Sequence, residues 1–363
     1  MKMNAIEHSL IGAFTIGIIC VAFLWVGRDS DRYRKLVTVA MALTFMLVIL
    51  GAFVRLSDAG LGCPDWPGCY GNLTPHHSAA DIRAAEMAQP GGPVSMDKAW
   101  KEMLHRYLAM FVGALIAAIM FAAWRSRRAW KQSPTLATVI ACAVIFQAAL
   151  GAWTVTMLLR PAIVTSHLLG GIAILSLLTW LHWRQVAGGS HRPNWAKGII
   201  ASNRVRVFAF VSLAVLFGQI VLGGWVSTNY AALACSDLPL CNGQLLPKMD
   251  FVNAFHVIRP LGFGPDGELL TLEALRAIHW IHRLGAMVTV LVVGGFALSL
   301  LKIHSGSTAA KMLLALLIAQ VFLGISNVWF SLPLAVAVAH NGVAAILFSM
   351  LLLINLRLYD HRN

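Results

Sequence analysis

Four histidines stand inside apolar stretches, where an ionisable side chain is costly and usually functional. His105, His167, His282 and His340 each lie near one end of such a stretch, and they come in matched pairs. His105-Arg106-x-x-Ala109-Met110 corresponds to His282-Arg283-x-x-Ala286-Met287. His167 and His340 correspond at an offset of 173, with Gln147-x-x-Leu150-Gly151 upstream of one and Gln320-x-x-Leu323-Gly324 upstream of the other. A single intramembrane histidine reads equally well as a hydrogen bond to a neighbouring helix. Four at one depth, paired by a repeat, read as ligands. Two imidazoles from facing helices can clamp the iron of a haem among four apolar helices. The expectation is two haem-iron sites, His105/His167 and His282/His340. Zinc would want four ligands close together, and the spans offer no compact His/Cys spacing. Of the 13 histidines, His8, His76, His77, His191, His256, His304 and His361 read as solvated, and His182, between Trp180 and Trp183, as interfacial.

Glu102 lies three residues before His105, on the same helix face. The residue three before His282 is His279, so one site has a carboxylate beside it and the other does not. Near a haem at the membrane edge, such a group can serve as a general base tuned by burial. The bland alternative is a pair with Lys98 or Lys101. Arg106 and Arg283 each follow a histidine, and arginine forks suit carboxylates such as haem propionates; ordinary snorkelling is the alternative. Arg55 is a further candidate for the same role.

Six cysteines are present. Cys20 and Cys142 sit alone in apolar stretches and read as small packing residues. The other four form two C-x5-C pairs, Cys63-Cys69 and Cys235-Cys241, on loops expected outside the cell, where disulfides persist. Each pair reads as a structural clip over the site or as a redox-active pair; C-x5-C is not the C-x-x-C of thiol oxidoreductases.

The elements that must position these residues follow from composition. Of 363 residues, 58% are apolar and 12% charged, about half the charge of a soluble domain. A membrane-spanning helix needs roughly 20 apolar residues. Nine stretches qualify: about 8–26, 36–54, 104–123, 136–157, 165–183, 206–226, 280–301, 311–330 and 335–356. The chain reads as an all-α integral membrane protein. Gly51–Pro75 and Gly223–Pro247 align at a constant offset of 172, with eleven of 25 positions identical. That repeat divides the chain into an extra N-terminal helix with a basic tether (1–35), a first four-helix repeat (36–183), a linker (184–205) and a second four-helix repeat (206–357). Ser95 and Thr271 are expected to cap the helices that carry His105 and His282. Both repeats hold four spans, so they share one orientation about an axis along the membrane normal.

The net charge of +13 does not imply nucleic acid once it is mapped. Segments 27–35, 124–135, 184–206, 302–311 and the C-terminus hold 17 Lys/Arg against three acids. The positive-inside rule puts that set in the cytoplasm, which leaves the N-terminus periplasmic, the C-terminus cytoplasmic and the histidines near the periplasmic face. No mitochondrial presequence precedes the first span, so the expected location is a bacterial inner membrane.

These motifs together resemble the membrane-bound haem A synthases of aerobic respiratory organisms. The resemblance is carried by Gly51-x3-Arg55-Leu56, Gly60-Leu61-x-Cys63-Pro64-Asp65-Trp66-Pro67-x-Cys69, Glu102-x-x-His105-Arg106, His167, the second cysteine loop, His282-Arg283 and His340, over about residues 36–357. It implies an oxidoreductase that converts the C8 methyl of haem O to the formyl of haem A for terminal oxidases, by successive oxidations that end in loss of water from a hydrated aldehyde. It implies substrate haem on His105 and His167, with Glu102 essential, and haem b on His282 and His340. Simpler members have eight spans, so the N-terminal helix is a departure. With no G-x-G-x-x-G fingerprint, the electron acceptor is unidentified. Haem O is too apolar to diffuse in water, which makes a haem O synthase and cytochrome oxidase assembly factors natural partners beside the lipid membrane; a homo-oligomer is compatible with the sequence. Two other classes fit the histidines: a two-haem cytochrome passing electrons from quinol, and a haem transporter. Neither needs a carboxylate in one half only.

Overall fold

A computed structural model of the chain describes residues 29–130, 133–187, 202–303 and 307–359. The apolar stretch 8–26 and the extra N-terminal helix expected there lie outside the described residues. Among those residues the helices are α1 (Asp29–Leu56), α2 (Ala79–Ala88), α3 (Met96–Arg125), α4 (Arg127–Trp130), α5 (Thr135–Thr156), α6 (Pro161–Ala187), α7 (Asn203–Thr228), α8 (Phe251–Ala254), α9 (Leu272–Ile303), α10 (Thr308–Trp329) and α11 (Leu334–Leu358). Eight of them, α1, α3, α5, α6, α7, α9, α10 and α11, are long and apolar enough to cross a membrane.

Several of these helices outrun the apolar stretches that announced them, because backbone hydrogen bonding continues after hydropathy falls. α3 begins eight residues before the stretch at 104–123, where Ser95 accepts a hydrogen bond from the Lys98 amide at 3.4 Å. α9 begins after Thr271, whose hydroxyl accepts from the Ala274 amide at 3.2 Å. Each hydroxyl satisfies a backbone donor that the first helical turn leaves without a partner.

The spanning helices close into two rings. In the first, α1 packs on α3, α3 on α5, α5 on α6, and α6 returns to α1. In the second, α7, α9, α10 and α11 repeat that order. The rings meet where α1 touches α11, α6 touches α7, and α6 touches α11. The first two contacts exchange under a two-fold rotation, and α6 and α11 sit on its axis. Apolar packing fills the ends of the rings away from the cysteine loops. Val112, Ile116, Ile119, Ile140 and Leu178 fill the first ring, and Leu216, Val293, Phe296, Leu313 and Leu351 the second. The ends nearer the loops are left to the histidines. Cys142, expected as a packing residue, is instead exposed on α5, because its helix face points out of the ring.

Candidate functional site

The ring order decides how the histidines face one another. His105 is on α3 and His167 on α6, diagonal partners across the first ring; His282 on α9 and His340 on α11 are diagonal across the second. The helices between them contribute glycines. A Cβ added at Gly51 of α1 would lie 3.1 Å from the His105 Cε1, and one at Gly151 of α5 would lie 3.1 Å from the His167 Cε1. In the second ring the values are 3.2 Å for Gly223 and His282 and 3.1 Å for Gly324 and His340. Each imidazole thus turns its Cε1 edge toward a glycine, where a Cβ would be a tight contact.

The ring nitrogens of the four histidines differ in their partners. Nδ1 of His105, His167 and His340 is buried without a hydrogen-bond partner, although the four residues as a whole keep some accessible surface. Three glutamines approach them. The Gln147 amide donates to the His167 carbonyl at 2.7 Å. The Gln219 amide nitrogen lies 3.0 Å from His282 Nδ1 and 3.1 Å from the His282 carbonyl. The Gln320 amide nitrogen lies 3.2 Å from His340 Nε2. Two imidazoles on diagonal helices of an apolar four-helix ring are residues that could hold a haem iron between them.

Above each ring sits a disulfide-closed loop. Cys63 and Cys69 are bonded with Cα atoms 4.9 Å apart, and Cys235 and Cys241 with Cα atoms 4.5 Å apart. Inside the first loop Asp65 accepts from the amides of Tyr70 and Gly71, each at 2.7 Å. Inside the second, Asp237 accepts from Asn242 and, at 2.9 Å, from Gly243. Tyr70, Gly71, Asn242 and Gly243 all have positive φ, the backbone of a tight two-residue reversal. The Gly243 amide, helped by that of Asn242, holds the Asp237 carboxyl below its usual value of 3.8.

Glu102 is buried, with 4% exposure. One oxygen accepts from the Cys63 amide at 2.8 Å and the other pairs with Arg106. The lysines considered as its partners point elsewhere: Lys98 donates to the Gly92 carbonyl and Lys101 pairs with Asp97. His279 does the corresponding job in the second ring. Its Nδ1 accepts from the Cys235 amide at 3.3 Å, and its Nε2 lies 3.3 Å from Arg283 Nε. The carboxylate and the imidazole are two ways to pin one loop to one helix.

The arginines complete the pin. Arg106 donates to the carbonyls of Cys63, Asp65, Pro67 and Gly68. Arg283 donates to those of Cys235, Asp237 and Leu240. The terminal nitrogens of both guanidinium groups are thereby committed to the loops. The two arginines expected as propionate candidates, Arg106 and Arg283, thus direct donors to loop carbonyls in this structure. Arg55 lies at the junction of the rings. It donates to the Ser227 carbonyl at 2.6 Å, stands 3.6 Å from Asp58, and covers the Tyr230 ring at 4.0 Å. The sequence reading passed over Gln219, the close glycine contacts and Arg259. The last is a buried arginine in the second long loop, bonded to Asn229 and to the carbonyls of His256 and Phe263; burial lowers its pKa below the ordinary arginine value. Gln219 was legible as a Gln-x3-Gly like the two around Gln147 and Gln320.

Residues 34–352 match the family described as cytochrome oxidase assembly protein (COX15-CtaA). Curated relatives include a Heme A synthase of Shewanella oneidensis, 41% identical over 326 residues, which are 88% of this chain and 94% of that protein. A Heme A synthase of Halalkalibacterium halodurans is 27% identical over 89% of this chain and 95% of its own length. One of Allorhizobium ampelinum is 28% identical over 88% of each.

Proposed function

The chain belongs to the family of cytochrome oxidase assembly proteins that includes the Heme A synthases, and from that premise we propose the chemistry of each ring. The reaction is oxidation of the C8 methyl of haem O to the formyl of haem A, by successive hydroxylations, for supply to a terminal oxidase. The first ring takes haem O between His105 and His167. The second takes a resident haem b between His282 and His340. When bound, the resident haem supplies one-electron redox chemistry that no side chain here can.

The chain's own residues supply positioning and proton handling. The glycines at 51, 151, 223 and 324 let the Cε1 edges of the imidazoles approach neighbouring helices closely. The disulfide loops, fastened by Arg106 and Arg283, cover the ring mouths and restrict water. Glu102 is the group able to take up a proton near the first ring, and its link to Cys63 and Arg106 holds it at the mouth. Arg55 remains a propionate candidate. The observation that carries this reading is the asymmetry of two otherwise matched sites: four histidines on four glycines, but a carboxylate at 102 and an imidazole at 279.

Membrane placement follows from charge. The positive-inside rule assigns the basic segments to the cytoplasm, which on this reading sets the loops and histidines toward the periplasm of a bacterial inner membrane and the C-terminus in the cytoplasm. Haem O arrives through the membrane from a haem O synthase, and the electron acceptor is a separate component.

The test is the mass of extracted haems. The protein is purified from a host that makes haem O but no haem A, as wild type and as Glu102→Ala. Haem A or a hydroxymethyl intermediate is expected in the wild type, reduced by about 10²–10⁴-fold in the variant, the usual weight of a general base. Unmodified haem alone in folded wild-type protein loaded with haem O would leave the two-haem cytochrome in its place.

A further inference from the structure

An apolar groove of about 280 Å³ opens on the outer surface of the first ring, between the end of α3 and the start of α5 and away from the cysteine loops. Thr135, Thr138, Val139 and Cys142 form one wall, spaced i, i+3, i+4 and i+7 along one face of α5, and Trp124 of α3 forms the other. The Trp124 indole donates to the Thr138 hydroxyl at 3.0 Å, which ties the two walls together. The Arg127 guanidinium lies over the same indole, 5.0 Å from its centroid, within the range of a cation–π contact. Arg125 and Arg128 are exposed beside it. Among the described residues none of the three arginines is paired with an acid, and the chain carries no acidic residue between Glu102 and Asp237. The second ring lacks this arrangement. There Leu301 stands in place of Trp124, Lys311 of Thr138 and Ala315 of Cys142, and Leu301 packs against the apolar core.

We propose that this groove binds an anionic glycerophospholipid, with an acyl chain between Trp124 and α5 and the headgroup phosphate against Arg127 and Arg128. At this end the chain leaves an apolar span for a basic segment, the level at which a bilayer carries its phosphates. An apolar groove alone accepts any lipid. A guanidinium held at its mouth by an indole selects the charged headgroup, because arginine meets phosphate through paired N–H bonds. Trp124 sits where tryptophan favours the membrane interface, with its ring against the acyl region and its N–H bonded. The lipid braces α3, which carries Glu102 and His105, against α5, which carries Gly151. The inference does not depend on which haem each ring takes.

The experiment uses the full chain with its haem, purified and delipidated in detergent. Phosphatidylglycerol and phosphatidylcholine with identical acyl chains are added in turn, and bound lipids are counted by native mass spectrometry. Haem absorbance shows that each sample is folded. The wild type should hold one phosphatidylglycerol at concentrations where phosphatidylcholine is lost. An arginine near the membrane surface is worth about fivefold in binding an anionic lipid, so Arg127→Gln/Arg128→Gln should weaken that binding by about 30-fold. Cys142→Phe, which fills the groove from its exposed side, should displace the lipid with both arginines intact. Trp124→Leu, which copies the second ring, should abolish the preference for the charged headgroup. Lys302→Gln, at the matching end of α9, should change nothing. Equal binding of the two lipids by the wild type would overturn the proposal, as would phosphatidylglycerol held at wild-type strength by the arginine variant. Loss in the arginine variant with Cys142→Phe unaffected would overturn it too, since the headgroup would then bind without the groove.

Discussion

Glu102 does two jobs that substitution can separate. Changed to alanine, it leaves the buried Cys63 amide without an acceptor, at a cost of about 1–3 kcal/mol, and takes from Arg106 its carboxylate partner, so a lost activity would mix chemistry with a loosened loop. Glu102→His copies the second ring, where His279 holds the Cys235 amide and faces Arg283. The histidine variant should keep haem content and melting temperature near wild type and lose product, as read by haem mass and thermal melts side by side; product at wild-type level would remove the carboxylate from the chemistry. Asp237 gives a prediction in pH. Its folded pKa lies below the usual 3.8 because the Gly243 and Asn242 amides donate to the carboxylate. The stability it adds is therefore complete above about pH 3.8 and is lost as pH falls through the lower folded value. Melts of wild type and Asp237→Asn between pH 6 and 3 should differ at pH 6 and converge below 3.8, and a constant gap would contradict that. At this scale the histidines were legible because a repeat names them twice in places where burial is costly. The partners of Arg106 were not: they are backbone carbonyls some 40 residues away, and carbonyls have no letter in a sequence.

At the scale of elements, hydropathy located the eight described spans, since a bilayer demands long apolar helices of any sequence. It misjudged where they end, because capping by Ser95 and Thr271 extends α3 and α9 into polar sequence. How closely a loop lies on a helix was also invisible beforehand. Gly62, beside Cys63, packs so tightly that an added Cβ would meet the backbone of Lys98 and Ala99 at 2.5–2.6 Å. The matching residue of the second loop is Ala234, so that loop tolerates the methyl group where the first does not. The tight approach brings the Cys63 amide within reach of Glu102. Gly62→Ala should push the first loop off α3, lengthen or break the bond to Glu102, and destabilise by about 1–3 kcal/mol as overpacking does. Ala234→Gly should have a much smaller effect, near the roughly 1 kcal/mol of a glycine's added backbone freedom. Equal melting shifts for the two would mean that the loops dock alike. Haem retention in the first ring, measured on Gly62→Ala, then tells whether the loop covers that site.

For the whole molecule, two contacts define how the halves join. Arg55 donates to the carbonyl of Ser227, and the Tyr230 hydroxyl donates to Asp58 at 2.9 Å, and in both pairs the partners are 172 residues apart, the offset of the repeat. A residue can touch its own counterpart only at the axis that relates the two copies, so these four mark where the pseudo-two-fold meets the loop end. The pairs are unlike: the Arg55 guanidinium meets the backbone carbonyl of Ser227, and the Tyr230 hydroxyl meets the carboxylate of Asp58. Two identical arginines there would repel. These contacts join the two halves at the axis. The halves should therefore recognise each other without the covalent link. Co-expressed as separate chains cut within 188–201, the two four-helix parts should co-purify through one affinity tag and still bind haem. Arg55→Leu removes a charged donor from a carbonyl, worth about 1.5–3 kcal/mol, and should weaken that association about tenfold or more. Tyr230→Phe, which loses one neutral donor to an exposed carboxylate, should cost about 1 kcal/mol or less. Halves that fold and bind haem yet fail to associate would show that the linker holds the rings together. Association unchanged by Arg55→Leu would instead assign it to the apolar faces of α1, α6, α7 and α11 alone.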